Sequence, residues 1–407
     1  MSGSGHKPLP EWVHPDTVAV RGGHVRSEFG ETSEGIFLTQ GYVYDRAQDA
    51  EDAFLGLTDT YMYSRYSNPT VRVFEERLRL LDGAEAAYAT ATGMSAVFTS
   101  IASVVQSGSR IVAARALFGS TLVVFNEILA KWGVTTDYVD GHEIDQWREA
   151  LSRPADVVFF ETPSNPMQDI IDVAAVTELA HAAGALVIVD NVFATPILQR
   201  PLDLGVDVVV YSATKHIDGQ GRVLGGAILG SDEYIHGSVE KLIRNTGPSL
   251  SPFNAWILLK GLETLSVRVN AQNASALAVA TALSEAPEIA RVRYPYLPSH
   301  PQYELARRQQ SGGGTVVTFD LAVDENTDPI AAKQRTYRFL DALQIADISN
   351  NLGDAKSIVT HPATTTHSKL GVEGRAAVGI AETTVRLSVG LEDSRDIIQD
   401  VQQALRA

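Results

Sequence analysis

The chain has 407 residues, 44% apolar and 20% charged, enough for two or three domains around a large core. A formal charge of −16 excludes the basic face that nucleic acid needs and is wrong for an anionic membrane surface. With no cysteine, disulfides, thiolate catalysis and thiolate metal sites are excluded, and no apolar run approaches the roughly 20 residues that cross a bilayer.

The opening Met1-Ser2-Gly3-Ser4-Gly5-His6-Lys7 is polar, unlike a signal peptide, and a cytoplasmic location is expected. Residues 1–66 lack sustained periodicity. Five tyrosines between Tyr42 and Tyr66 favour an arm packed on something else, since disordered segments are poor in aromatics. From Thr70 helix and strand patterns alternate. Val71, Phe74, Leu78 and Leu81 fall at helical spacing and stop at Gly83, and Thr92-Gly93-Met94 turns into a second apolar helix. Arg110 to Ala113, Val157 to Phe160, Leu186 to Val189 and Val206 to Val210 read as short buried strands. Strands separated by helices imply crossovers and a mostly parallel sheet covered on both faces.

A long helical stretch is expected from Ala255 to about Leu283. Beyond it the pattern changes: Thr315 to Leu321 alternates like a half-buried strand, Val385 to Val389 forms another, and Ile397, Val401 and Leu405 share a helix face. The expected organisation is α/β, with an arm (1–66), a large domain (67–266) and a smaller α+β domain (267–407).

In open α/β sheets ligands sit beyond the carboxyl ends of the strands. Four such places carry chemistry: Thr92-Gly93-Met94, Glu161-Thr162-Pro163-Ser164-Asn165-Pro166, Asp190-Asn191, and Ser212-Ala213-Thr214-Lys215. Each alone reads as a turn, a cap or a surface group. Together they supply anion-binding amides, a carboxamide, a carboxylate, two hydroxyls and an amine, the set that pyridoxal phosphate (PLP) needs. Its aldehyde takes an amine, its ring nitrogen a buried anion, and its phosphate helix-terminal N–H groups.

These motifs resemble the Cys/Met-metabolism family of fold-type I PLP-dependent enzymes, as do Tyr63-Ser64-Arg65-Tyr66-Ser67-Asn68-Pro69-Thr70 and Arg386-Leu387-Ser388-Val389-Gly390. The likeness runs from about Thr17 to Leu405. It implies that Lys215 forms the Schiff base and shuttles protons, that Asp190 pairs with the ring nitrogen, and that Asn165 contacts the ring oxygen. Gly93 and Met94 would hold the phosphate through backbone amides, with Ser212 and Thr214. Tyr63 and Arg65 would reach it from a neighbouring subunit, which implies a homotetramer built from dimers with shared sites. Arg386 would clamp the substrate α-carboxylate.

One position departs from the family pattern. Phe118 stands where many members carry tyrosine, keeping a ring to stack on the cofactor and losing the hydroxyl. A carboxylate leaves without acid help, so an O-acylated homoserine is favoured over cystathionine or methionine. Lys215 to Gly226 and Ser349 to Lys356, with Asn351 expected at the substrate, resemble the branch that exchanges the succinyl group of O-succinylhomoserine for sulfide. O-Acetylhomoserine sulfhydrylase, cystathionine γ-synthase and, further off, an aminotransferase are the alternatives. A succinyl tail calls for a second cation, with Arg46, Arg115 and Arg222 as candidates. His361 and His367 lack a third ligand, so no metal is expected.

Overall fold

The computed structural model describes residues 9–10 and 12–407; the polar opening heptapeptide lies outside them. Among the described residues, twelve strands form two sheets. The larger contains β1 (Ala86–Thr90), β2 (Arg110–Ala114), β3 (Thr135–Val139), β4 (Val157–Glu161), β5 (Leu186–Asp190), β6 (Val208–Tyr211) and β7 (Gly226–Gly230), ordered β1-β7-β6-β5-β4-β2-β3. The strands from β6 to β3 are mutually parallel, and β7 runs antiparallel between β1 and β6. The smaller sheet contains β8 (Ile289–Arg293), β9 (Val316–Leu321), β10 (Asp347–Ile348), β11 (Ile358–Thr360) and β12 (Thr384–Ser388), ordered β10-β11-β12-β9-β8.

The four apolar runs expected as strands form β2, β4, β5 and β6. Val157 to Phe160 and Val187 to Val189 are wholly inaccessible, as strands covered on both faces must be. The helix Pro69–Asp82 begins at Asn68, whose side chain accepts from Thr70 N, and ends at Gly83 in the left-handed region. Its stripe of Phe74, Leu78 and Leu81 enters the core of the larger sheet. A second core, with Val317, Phe319, Val385, Leu387 and Val401, belongs to the smaller sheet.

The long helical stretch is two helices, Pro252–Leu262 and Leu265–Ser284, with Thr264 leaving helical geometry between them. The first packs on the helix Pro69–Asp82, and the second covers β8 and β9. The break turns the chain from one sheet to the other. Buried Arg268 fastens it by donating to the carbonyls of His216 (2.7 Å) and Gly261 (2.8 Å).

The N-terminal segment is less irregular than its sequence suggests, with helices at Pro15–Arg21 and Ala47–Phe54. It is anchored at one end by buried Glu34, which pairs with Arg77 and Lys260. Elsewhere it presents Phe29, Val43 and Leu57 to solvent, Val43 at 97% exposure.

Candidate active site

Strand register builds the centre of the site. Glu161, the last residue of β4, lies opposite Asp190, the last of β5, which lies opposite Val210 in β6. One residue past β6 the chain turns through Ser212 to Lys215. The three carboxyl ends therefore deliver two carboxyls, a hydroxyl pair and an amine to one cavity of about 220 Å³.

Thr92 caps the helix Gly93–Ala102 by accepting from Ser95 N at 3.0 Å, leaving the Gly93 and Met94 N–H groups as free donors on the cavity wall. Glycine is needed at 93 because a Cβ there would lie 2.4 Å from Ser212 Cβ. Thr214 Oγ1 braces the opposite wall, accepting from Gly225 N at 3.1 Å.

The smaller sheet contributes Arg386, from the middle of β12. It is 2% exposed and donates to Asn165 Oδ1 (3.0 Å) and to the carbonyls of Asn350 (2.9 Å) and Asn351 (3.0 Å). Among the described residues no carboxylate pairs with it, and its Nε has no acceptor. Burial pushes its guanidinium down to about 10. A buried guanidinium with a spare donor is an incomplete carboxylate clamp. Since Arg386 occupies Asn165 Oδ1, the Asn165 NH₂ remains available to a ring oxygen.

Lys215 Nζ donates to Asn351 Oδ1. Gly353, in the left-handed region, makes that contact possible: a Cβ there would lie 2.8 Å from His216 N. Asn351, expected at the substrate, thus touches the lysine itself. Burial lowers the Lys215 ammonium to about 8, with the Arg386 charge adding to the effect and Asp190 opposing it.

Burial raises both Asp190 and Glu161, and the Asp190 charge raises Glu161 further. Two adjacent buried carboxyls do not both ionise. Asp190 keeps the charge, because Val192 N donates to it at 3.0 Å and Lys215 faces it. Glu161 holds the proton and accepts from Phe118 N at 2.7 Å. Phe118, 36% exposed, lines the inner cavity and also a wider one of about 780 Å³ beyond it.

These residues fit pyridoxal phosphate: an amine with a lowered pKa, an anion beyond it, amides at a helix N-terminus, and a carboxamide with free donors. The family of Cys/Met metabolism PLP-dependent enzymes matches residues 16–406. The chain belongs to that family. It is 63% identical over 399 residues to an O-succinylhomoserine sulfhydrylase of Mycobacterium tuberculosis, covering 98% of this chain and 97% of the relative. It is 48% identical over 392 residues to an O-succinylhomoserine sulfhydrylase of Pseudomonas aeruginosa, covering 96% and 95%. A crystal structure of a putative O-acetylhomoserine (thiol)-lyase from Campylobacter jejuni, containing a pyridoxyl-lysine phosphate, superposes with a TM-score of 0.90 at 29% identity, covering 97% of this chain and all of that one. The fold is that of the fold-type I PLP-dependent enzymes, and the cofactor is PLP.

Lys215, Asp190, Asn165, Gly93, Met94, Ser212, Thr214, Phe118 and Arg386 all line the inner cavity. Tyr63 and Arg65 do not. They lie in the N-terminal segment, the Arg65 guanidinium 5.3 Å from the Tyr63 ring and 5.0 Å from that of Tyr66. Arg46, Arg115 and Arg222 are paired with Asp49, Asp140 and Asp218, and none lines either cavity among the described residues. His361 is held by Thr364 (2.8 Å) and the Glu382 carbonyl (2.9 Å), and His367 by Thr366 (2.8 Å). Glu161 was given no role from sequence. Its signal was there, a carboxyl ending an apolar strand beside the one ending in Asp190.

Proposed function

We propose that the protein catalyses PLP-dependent γ-replacement on O-succinyl-L-homoserine, exchanging succinate for sulfide to give L-homocysteine. The observation that carries the reading is the 63% identity, sustained over 98% of the chain, to a sulfhydrylase of that substrate.

When bound, PLP supplies an electron sink conjugated to the substrate α-carbon. Asp190 holds the ring nitrogen protonated. The Gly93 and Met94 amides, with Ser212 and Thr214, take the phosphate, and the Asn165 NH₂ donates to the ring oxygen. Arg386 receives the α-carboxylate. Lys215 removes the α-proton as a free amine and carries protons between the α-, β- and γ-carbons, its Nζ directed by Asn351. Phe118 would supply a ring to lie against the cofactor and brings no proton donor to the leaving group, which suits departure of a carboxylate and hence an O-acyl ester.

In this reading residues 1–66 are an arm on a neighbouring subunit, 67–266 the cofactor domain and 267–407 the smaller domain. The exposed Phe29, Val43 and Leu57 support the arm, being apolar groups left in water by one chain alone. Tyr63 and Arg65 complete a partner's phosphate site in a cytoplasmic homotetramer of dimers.

The test is a matrix of O-succinyl and O-acetyl esters against sulfide and cysteine, with product identification. Homocysteine formed fastest from the succinyl ester and sulfide is the expected result. Cystathionine from cysteine as the faster product would reassign the chain to synthase chemistry, and a keto-acid product without thiol incorporation would reject γ-replacement.

A further inference from the structure

We infer that Lys369 binds the terminal carboxylate of the acyl group, and that this contact sets a preference for a dicarboxylic over a monocarboxylic ester. The inference rests on the function proposed above, since only an O-acyl ester carries such a tail past Lys215.

The inner and wider cavities share Lys215, Phe118 and Asn350, so they are continuous past the edge of the Phe118 ring. One wall of the wider cavity is the short helix Gly119–Val123 with Asn126 and Glu127 beyond it. The other is the segment Thr364 to Leu370. With Arg386 holding the α-carboxylate in the inner cavity, a γ-substituent leaving from near Lys215 points into this wider space.

Two cations line it, Lys215 and Lys369. Lys215 is committed to the reacting carbons. Lys369 sits in the turn Ser368–Leu370, and among the described residues it has no ion-pair partner. The one carboxylate on the wall, Glu127, is not paired with it. The hydroxyls of Thr364, Thr365, Thr366 and Ser368 lie on the same segment but are hydrogen-bonded within the protein, which leaves the Lys369 ammonium as the cation of this polar wall. Arg46, Arg115 and Arg222, the arginines the sequence offers for an acyl tail, are each bound to an aspartate and line neither cavity, and Arg386 is taken by the α-carboxylate.

Succinyl ends in a carboxylate, and acetyl ends in a methyl that gives Lys369 nothing to bind. Because Lys369 is exposed, the pair works in partly screened solvent, and its loss costs affinity by roughly two- to fivefold. It lies away from the bonds that change, so ground state and transition state gain alike, and the effect falls on KM with kcat unchanged.

The experiment compares holoenzyme with K369A, K369E and K369R on both esters with sulfide. K369A is expected to raise KM for the succinyl ester by roughly two- to fivefold and to leave KM for the acetyl ester unchanged. K369E should shift it further and K369R should restore it. Inhibition by free succinate reads the same contact without the ester linkage and should weaken by the same factor in K369A. Equal changes on both esters, or no change in KM and in succinate inhibition, would overturn the inference while leaving the proposed reaction standing. Wild-type protein that fails to convert the succinyl ester would remove the proposed reaction and this inference together.

Discussion

The two ends of the cavity are built differently. The inner end is made of strand termini: Glu161, Asp190 and the Ser212–Lys215 turn are placed by the register of three parallel strands, and Arg386 by the middle of a fourth in the other sheet. Its groups are buried and hydrogen-bonded to backbone. The outer end is made of short turns, with exposed Lys369 and hydroxyls on Thr364 to Ser368. Rigid elements hold the proposed chemistry, and adaptable loops hold the proposed choice of acyl group. The contrast predicts large, all-or-none effects of substitution at the inner end and graded, substrate-specific ones at the outer end.

The largest expected effect is at Lys215. K215A should abolish both turnover and the visible absorbance of the bound cofactor; an active variant would remove the inner end from the chemistry altogether. R386K comes next. Lysine keeps the charge but not the planar fork, so KM for either ester should rise about 10- to 100-fold. Sensitivity to ester identity at this position would blur the division between the two ends.

The lowered pKa of Lys215 gives a pH signature. Only the free amine reacts with the cofactor aldehyde, and with a value near 8 about a tenth of it is free at pH 7. Loading of cofactor-free protein should therefore speed up by about tenfold per pH unit below 8 and level off above it. A rate still climbing toward the ordinary lysine value of 10.5 would show that burial does not act on this amine. The sign for stability agrees. Between those two values the unfolded chain binds more protons than the folded one, so cofactor-free protein should gain stability as pH rises.

Much of the inner end is legible in the sequence because buried parallel strands are β-branched runs, and a polar residue ending such a run marks the ligand side of the sheet. β4, β5 and β6 announce themselves in this way. β1, Ala-Ala-Tyr-Ala-Thr, and β7, Gly-Ala-Ile-Leu-Gly, do not. Their small residues let the helix Gly93–Ala102 pack close, and at Gly226 a Cβ would lie 2.3 Å from the Thr92 carbonyl. Proximity to a helix chose those residues, and it leaves no periodic trace. The long helical stretch expected from Ala255 is divided at Thr264, where Arg268 ties the break by donating to the Gly261 carbonyl. The outer end is the least legible. A lysine in a turn reads as solvated surface, and only the cavity shape brings it into line with Lys215.

The smallest expected effect tests the proton assignment at the inner end. Glu161 sits beside Asp190, and if it holds the proton as argued, E161Q replaces one neutral hydrogen-bonding group by another of the same shape. The glutamine oxygen can still accept from Phe118 N, now at 2.7 Å from the carboxyl, so the ring keeps its place. Turnover should fall by less than about threefold, within the cost of an altered neutral hydrogen bond. E161A should do more harm than E161Q, because it removes the acceptor of the part-buried Phe118 amide and loosens the ring that divides the two cavities. Were Glu161 ionised instead, E161Q would remove a negative charge next to Asp190. The Asp190 carboxyl would then ionise more readily, and the pH profile of turnover would shift to lower pH. An unshifted profile in E161Q together with a clear loss in E161A is thus the combination that the buried neutral acid requires.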